Sequence, residues 1–460
     1  AAPSQAQRVS KIGIGAAMIA RVTLAVVLTA FFGFGAPRAA LADDVAALAR
    51  AMTAIAAGDW AVAVNEGAAS GPLARDIVEW HRLRASQGTF AEYADYAERR
   101  ADWPGMPLLR RMGEANLDGA SDADLRAYFK PLPPQTGTGA LAFVAAGGDV
   151  AEVVRAWRNF SLTEAEQAVF LERHSAVLAE HHGGRMAMLL DRGLLDQARR
   201  MLDLVTPGTR AVATARIALQ ADANGVDALI AAIPARMAAS AGLARDRAEW
   251  RLRKGNVAGA AELVLERSGS AEALGEPDLW ANIRLKLVWA DIRSGNYSRA
   301  YRLAARNRMT SGGDYAELEW LAGYAALKLG DASAALGHFR ALQGAVATPI
   351  SLARAGYWQG RALEAAGNAD AARAAYAEAA RYQTAYYGLL AAERAGLAMD
   401  PALAGTETLP DWRGAAFVNH SVFQAAVLLR AAGATDLSER FLLHLGESLN
   451  DGDLSRMARL

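Results

Sequence analysis

Apolar residues recur along most of the chain at the three-to-four-residue spacing of an amphipathic helix. Alternating Val/Ile/Thr segments, which are typical of strands, are almost absent. Short clusters of Gly, Pro, Asn and Asp interrupt the pattern, as tight turns between helices require. From Asp43 to about Met399, the sequence therefore predicts an all-α fold built from helix hairpins.

The segment Gly356–Leu397 shows this organisation most clearly. It is rich in Ala, Leu, Arg and Glu, contains no proline, and is interrupted only at Gly367-Asn368 and at Gly396. Gly367 is expected to end the first helix, because glycine adopts the left-handed C-cap conformation without a steric penalty. Ala372 and Tyr376 lie one turn apart on the next helix, so a small and a large residue share one face.

An internal repeat extends this pattern. A glycine is followed five residues later by alanine and nine residues later by an apolar residue, at intervals of 40, 35 and 37 residues. The positions are Gly255, Ala260 and Val264; Gly295, Ala300 and Ala304; Gly330, Ala335 and Phe339; Gly367, Ala372 and Tyr376; and, at a greater distance, Gly193, Ala198 and Leu202. The spacing is typical of a degenerate tetratricopeptide-like repeat.

The repeat predicts a superhelical α-solenoid. The alanine allows the two helices of a pair to approach closely, and the larger residue is expected to fill the gap to the next pair. The N-terminal half keeps hairpin turns at Gly58-Asp59 and Gly147–Asp149 but loses the period, so a less regular helical array is expected there. Pro131–Gly139 is the strongest loop signal. The sequence does not decide whether the array closes into a ring.

Residues 1–42 have the pattern of a secretory signal peptide. Arg8, Lys11 and Arg21 supply positive charge, Val22–Ala36 is an apolar stretch of 15 residues, and Ala40–Ala42 offers a cleavage site. A cleaved leader is the preferred interpretation. An uncleaved membrane anchor is the alternative, because the apolar stretch becomes longer if it is extended through Arg21 to Ile12. Both interpretations predict export.

Composition narrows the functional classes. The formal net charge is zero and the isoelectric point is near 7.3, which argues against a nucleic-acid partner or an anionic membrane surface. The chain has no cysteine, which excludes disulfides, thiolate metal sites and cysteine nucleophiles. No phosphate-binding loop or serine-hydrolase elbow occurs, and the glycines between Gly137 and Gly148 lack the preceding strand that a dinucleotide site needs.

Four segments carry a family resemblance: YWQGRAL at Tyr357–Leu363, AYYGLLAAERAGL at Ala385–Leu397, DWPGMPLLRRMGEANL at Asp102–Leu117 and ATPISLAR at Ala347–Arg354. From about Ala46 to the end, the chain resembles the superhelical region of soluble lytic transglycosylases of the bacterial periplasm. These enzymes cleave the β-1,4 bond between N-acetylmuramic acid and N-acetylglucosamine in peptidoglycan and form a 1,6-anhydro product. The matching segments are helix-packing motifs and specify no chemistry.

The resemblance implies a division into domains. Residues 43–400 would form the superhelical domain, and residues 401–460 would begin a helical linker domain after the break at Met399–Trp412. The catalytic domain is expected beyond residue 460. The chain stops inside an amphipathic run, which predicts either a piece of a longer product or the product of a truncated gene. The implied partner is the peptidoglycan glycan strand, with no cofactor, and the implied location is the periplasm.

Candidate chemistry in the chain is sparse. His174, His181 and His182 lie in one helical stretch beside Glu180, but they lack the i, i+4 spacing of a helical zinc site, so a polar helix end before Gly183-Gly184 is the preferred interpretation. Tryptophans suggest sugar stacking, yet those within helical patterns favour packing between pairs. The helical tryptophans are Trp80, Trp250, Trp280, Trp289, Trp320 and Trp358; Trp103 and Trp412 are expected to be more exposed.

Glu447-Ser448 superficially matches the catalytic glutamate and following serine of the resembled family. The family motif continues towards Gly-Leu-Met-Gln, whereas LNDGDLSRMARL follows here, so Glu447 is rejected as catalytic. The sequence thus predicts no catalytic, cofactor-binding or metal-ligating residue in this chain. The alternative function is a non-catalytic exported helical-repeat protein that binds glycan or a protein partner.

Overall fold

The computed structural model describes residues 38–406, 408 and 410–459. Every regular element in these ranges is a helix, which confirms the predicted all-α class. The residues form two compact units: the first joins the described residues up to Ala156 to those from Thr408 onward, and the second runs from Trp157 to Glu407.

Residues 1–37 of the predicted leader lie outside the described residues. Its last five residues, 38–42, belong to the first helix. Among the helices that the structure describes, none combines the length and the apolarity that crossing a bilayer requires.

The first unit contains the N-terminal and C-terminal helices. They are α1 (Arg38–Ala57), α2 (Trp60–Ala69), α3 (Pro72–Arg84), α4 (Phe90–Arg99), α5 (Met106–Gly113), α6 (Asp122–Phe129), α7 (Gly137–Ala145), most of α8 (Ala151–Asn159), α24 (Ser421–Ala431), α25 (Thr435–Gly446) and α26 (Asp451–Met457). Single 3₁₀ turns span Trp412–Gly414 and Ala416–Asn419.

The second unit contains the helices between them. They are α9 (Glu164–Leu178), α10 (His182–Asp191), α11 (Leu195–Arg200), α12 (Pro207–Gln220), α13 (Val226–Ala231), α14 (Ala241–Arg253), α15 (Val257–Arg267), α16 (Ala271–Leu274), α17 (Ala281–Arg293), α18 (Tyr297–Ala305), α19 (Gly313–Lys328), α20 (Ala332–Ala345), α21 (Pro349–Ala365), α22 (Ala369–Ala379) and α23 (Tyr386–Ala395). Five 3₁₀ turns span Ala179–His181, Leu202–Leu204, Ala235–Met237, Pro277–Trp280 and Ala380–Tyr382, and a sixth spans Pro401–Ala404.

Aromatic side chains from both ends of the sequence form the core of the first unit. The Phe441 ring of α25 packs edge-on against Trp80 of α3 and against Trp103, with ring centroids 5.6 and 5.2 Å apart. The indole N–H of Trp103 donates to Ser421 Oγ at 2.9 Å, and that of Trp80 donates to the carbonyl of Pro104 at 3.0 Å. Residues from 408 onward therefore complete the hydrophobic core of the N-terminal helices.

The same kind of turn joins the two helices of each repeat pair in the second unit. Each repeat glycine has a positive φ, and the backbone N–H of the next residue bonds back to a carbonyl five residues earlier, at 2.8–2.9 Å. That next residue, Asn256, Asn296, Asp331 or Asn368, then caps the second helix with its side chain. The turn of the predicted repeat is therefore a glycine that ends the first helix, followed directly by the N-cap residue of the second helix.

The repeat residues are buried as the template requires. Ala260, Ala300, Ala335 and Ala372 are at most 2% exposed, and the apolar residues four positions later are buried as well. The larger residues were expected to fill the gap to the next pair. Phe339 and Tyr376 instead make their closest contacts with a glycine of their own pair, Gly323 and Gly360 respectively. Phe339 also reaches the next pair, where its ring lies 5.7 Å from that of Trp358.

Two loop predictions need correction. Gly137 and Gly139 belong to α7 rather than to the loop after Pro131, because the Thr136 side chain caps that helix at the backbone N–H of Gly139. The continuous helix expected after Gly367-Asn368 ends at Ala379 and resumes at Tyr386. The signal for this break is Gly388, where a Cβ atom would lie 1.9 Å from the carbonyl oxygen of Tyr382.

Candidate functional site

None of the ten tryptophans is exposed, and all ten lie within the described residues. Trp103 and Trp412 were expected to be the accessible ones, and that expectation is wrong: they are only 1% and 4% exposed. Trp103 is turned inward by its hydrogen bond to Ser421, and Trp412 packs against Phe423 beneath the guanidinium of Arg413. Neither ring can stack on a sugar in this structure.

The helical tryptophans of the second unit link successive pairs. Trp320 of α19 lies 6.1 Å from Trp289 of α17 and 5.6 Å from Trp358 of α21, measured between ring centroids. Arg354 covers Trp320 at 4.1 Å and is held by Glu317 at 2.8 Å. These contacts agree with the prediction that the rings pack between helix pairs.

One exposed aromatic side chain was missed by the sequence analysis. Tyr386, in the first turn of α23, is 68% exposed and is the only aromatic residue of the described chain on the open surface. Its ring lies edge-on to Tyr387 at 5.3 Å, and Tyr387 in turn contacts Tyr357 at 5.3 Å. The available signal was the Tyr-Tyr pair itself, since adjacent helical residues point in different directions around the helix.

The three clustered histidines lie in different local environments. His174 lies at a kink within α9, and the ring of His182 packs 5.5 Å from Trp157. The stretch was expected to be a helix end before Gly183-Gly184, but α10 begins at His182 and continues through both glycines. No group of three potential metal ligands occurs in the part of the chain that the structure describes.

The buried carboxylates are all occupied by structural contacts. Asp76 pairs with Arg99 and Arg100, Asp246 with Arg216, and Asp291 with Arg299. Glu319 accepts a hydrogen bond from Asn307 at 3.1 Å and contacts His338 at 2.7 Å. A general acid needs a proton it can deliver to a substrate, and these groups are committed to neighbouring side chains.

Glu114 is 1% exposed, and its carboxylate anchors a loop. It accepts the backbone N–H groups of Gln135 and Thr136, each at 2.8 Å, and the Thr136 hydroxyl at 2.6 Å. Burial raises the pKa of Glu114 above its usual range, while these hydrogen bonds oppose the rise. The carboxylate thus supplies the hydrogen-bond acceptors for the backbone N–H groups at the end of the proline-rich segment.

Glu447 lies on the open surface. Its side chain is 79% exposed at the end of α25 and lies 3.6 Å from His444. The Ser448 hydroxyl donates to the carbonyl of Leu445 at 2.8 Å, so it is a local helix-end contact.

Each unit has an open concave surface of several hundred Å³. In the first unit, a groove of about 730 Å³ runs between α4 and α6, with an alanine-rich floor and Glu98, Asp118 and Asp124 among its polar lining. In the second unit, a depression of about 610 Å³ lies between α15 and α18. It is lined by charged residues of both signs. Open surfaces with polar edges suit an extended polar ligand better than a small enclosed one.

Neither a family model nor a curated protein sequence matches this chain. Solved structures do match. The soluble lytic transglycosylase Slt70 from Escherichia coli aligns with a TM-score of 0.57 at 14% identity, covering 91% of this chain and 68% of that one. Its complex with bulgecin A aligns with a TM-score of 0.56 at the same identity and coverage.

An inactive glutamate-to-glutamine mutant of the lytic transglycosylase Slt from Pseudomonas aeruginosa aligns with a TM-score of 0.58 at 17% identity. That alignment covers 90% of this chain and 67% of the other. The resemblance inferred from the sequence motifs is therefore matched by the fold. The chain spans about two thirds of the length of each of these enzymes.

Proposed function

We propose that this chain is the scaffold part of a periplasmic peptidoglycan lytic transglycosylase. The observation that carries the proposal is the fold likeness to two soluble lytic transglycosylases over about nine tenths of the chain. The four sequence motifs support it independently, because they belong to the same superhelical region. The scaffold would hold glycan strands for an active site located elsewhere in the protein.

The catalytic glutamate lies outside these 460 residues in this proposal. The buried carboxylates of the described chain are paired or hydrogen-bonded, and Glu447 is solvent-exposed. The proposed reaction needs a single carboxyl group that protonates the leaving oxygen of the β-1,4 bond and then accepts the proton of the sugar's own 6-hydroxyl. The 6-oxygen bonds to the anomeric carbon, so the product is a 1,6-anhydro sugar and no water is consumed.

Glycan contacts are proposed at Tyr386 and in the groove between α4 and α6. An exposed aromatic ring offers an apolar face on which a sugar ring can stack. Tyr386 is held on a helix and supported by Tyr387, so little side-chain freedom is lost on binding. Carboxylates along the α4–α6 groove can accept hydrogen bonds from sugar hydroxyls.

The location and partners follow from the same proposal. The predicted leader would export the protein to the periplasm, where peptidoglycan is the partner and nucleic acid is not. The proposal requires no cofactor, because acid–base chemistry by one carboxyl group is sufficient.

Co-sedimentation with insoluble peptidoglycan tests the scaffold role. The purified full chain is expected to sediment with peptidoglycan, and mass spectrometry of the supernatant should find no 1,6-anhydro products. Tyr386→Ala should weaken binding, whereas Ile350→Ala, which alters a similarly exposed apolar residue of the same unit, should not. Absence of binding would favour the protein-binding alternative, and anhydro products from this chain alone would place the catalytic group within it.

The intact mass of the native protein tests the proposed division. An antibody against the second unit should capture from periplasm a protein heavier than 48.6 kDa by a further domain, on the order of 150 residues. A captured protein ending at Leu460 would contradict the proposal that a catalytic domain follows.

A further inference from the structure

The depression between α15 and α18 has opposite charges on its two walls. Glu262 and Glu266 lie one turn apart on α15, and Arg299 and Arg302 lie three residues apart on α18. Leu265 and Asn296 complete the lining of this volume of about 610 Å³. One wall therefore offers two carboxylates and the other offers two guanidinium groups.

The opposing charges do not neutralise one another by contact. Glu262, Glu266 and Arg302 are exposed, and within the described part of the chain none of them forms an ion pair. The charge of Glu262 still contributes to the raised pKa of Arg299, after the larger effect of the hydrogen bond to Asp291, so the two walls interact across the gap. A ligand with both charges can enter between them.

Arg299 is fixed in place by a buried carboxylate. Its Nε and one terminal nitrogen donate to the two oxygens of Asp291 at 2.8 and 2.6 Å, and Asp291 is 99% buried. A bidentate pair of this kind sets the plane of the guanidinium. The basic wall therefore has one preorganised member, Arg299, which reduces the entropic cost of binding, and one exposed member, Arg302.

An acid facing a base at the equivalent position is not repeated in the next two helix pairs. Glu262 and Arg302 both lie seven residues after a repeat glycine, as Arg200 does after Gly193, whereas the same position in the next two pairs is occupied by Gly337 and Ala374. Opposite charges at this position are therefore not a general requirement of the solenoid. A surface that only needed solubility would not require acids on one helix and bases on the facing one.

We propose that this depression binds a zwitterionic amino-acid or peptide terminus, with its ammonium at Glu262 and Glu266 and its carboxylate at Arg299 and Arg302. Resting on the proposed function, the ligand would be a peptide branch of peptidoglycan whose free carboxyl end supplies the carboxylate and whose side-chain amino group supplies the ammonium, because the amino end of the branch is bonded to the sugar. The scaffold would then recognise the peptide part of the polymer here and the sugar part elsewhere.

Titration calorimetry with the full chain tests the site. A short peptide with free termini is expected to bind, and the same peptide with an acetylated amino end and an amidated carboxyl end should not. Arg302→Gln and Glu262→Gln should each weaken binding by about tenfold, as expected for loss of one charged contact. Arg306→Gln, which removes an exposed arginine just beyond α18, is the matched control and should leave the affinity unchanged. Equal binding of both peptides, or unchanged affinity in both variants, would overturn the proposal.

A second comparison separates this site from the proposed function. A disaccharide bearing a peptide and a glycan strand stripped of peptide are titrated in parallel. Arg302→Gln should weaken binding of the first and leave the second unaffected. If the unaltered protein binds peptide but no glycan, the scaffold function alone is refuted. If it binds the free peptide tightly and the peptide-bearing disaccharide weakly, the peptidoglycan branch is refuted as the ligand.

Discussion

Phe339 of α20 lies directly against the backbone of Gly323 in α19. A Cβ atom at Gly323 would lie 2.5 Å from Cε1 of the phenylalanine ring. The same contact recurs 37 residues later, where a Cβ atom at Gly360 would lie 2.3 Å from Cε1 of Tyr376. A glycine on the first helix and a ring on the second thus set the spacing of two consecutive pairs.

Replacing either glycine by alanine is expected to destabilise the second unit. The added methyl group would overlap a ring that is itself fully buried, so the helices must move apart, at a cost of about 1–3 kcal/mol in the free energy of unfolding. Urea denaturation followed by circular dichroism measures the effect. A compensating Phe339→Leu change in the Gly323→Ala protein should recover part of the loss.

Gly337→Ala is the matched control for these substitutions. Gly337 lies in the same helix as Phe339, and nothing is within 4 Å of its missing Cβ. Alanine there should raise the free energy of unfolding by up to about 1 kcal/mol, because it favours the helix. A loss of stability at Gly337 equal to that at Gly323 would show that close packing is not the cause.

The buried Phe441 is expected to stabilise the N-terminal helices of the first unit. Truncation to alanine removes its contacts with Trp80 and Trp103 and leaves a cavity, at a cost of about 3–5 kcal/mol. Leu443→Ala, two residues along the same helix at a side chain that is 74% exposed, should change stability by less than about 0.5 kcal/mol. Thermal unfolding monitored by tryptophan fluorescence measures the stability of the two variants. Equal losses of stability in both would contradict the packing of Phe441 described above.

Loss of the Glu114 carboxylate should release the proline-rich segment at residues 131–136. Glu114→Gln replaces one of the two accepting carboxylate oxygens by an amide N–H₂, which faces at least one backbone N–H group without accepting from it, and an unsatisfied buried group costs about 1–3 kcal/mol. Limited proteolysis should cut this segment faster in the variant. Asp118→Asn, a nearby exposed change, should not accelerate cleavage.

His81 should make the first unit sensitive to acid. Burial, followed by the charges of Arg84 and Arg440, lowers the pKa of His81 to about 4. Because the unfolded chain binds this proton near pH 6.5 and the folded chain near pH 4, stability decreases as the pH falls between these values, by on the order of 3 kcal/mol. The stability difference between the wild type and His81→Gln should change over that interval; a difference independent of pH would show that His81 ionises normally.

The sequence predicted the fold class and the repeat turns of the second unit well, because their signals are local. The positive φ of Gly367 and the burial of Ala372 depend on turn chemistry within a few residues. The association of Trp103 with Ser421 joins positions 318 residues apart and has no local signal. The predicted division into residues 43–400 and 401–460 stays a prediction, although the structure groups residues from 408 onward with the N-terminal helices.

Candidate surfaces were harder to predict than helices. The exposure of Trp103 was inferred from its proline-glycine turn, but a turn does not reveal which direction its side chain takes. Tyr386 was hidden among aromatic residues that mostly pack, and Glu262 and Arg302 come together only because their helix pairs stack. Tertiary placement, rather than residue type, decides each of these cases.

The long-range packing in the first unit also sets an order of events during synthesis. The second unit is contained between Trp157 and Glu407 and uses contacts between neighbouring helices, so it can assemble as soon as its own residues are available. Trp80 and Trp103 must wait for Phe441, which is made several hundred residues later. The N-terminal helices are therefore made well before the residues that complete their core, and their indoles would require protection until Phe441 has been synthesised.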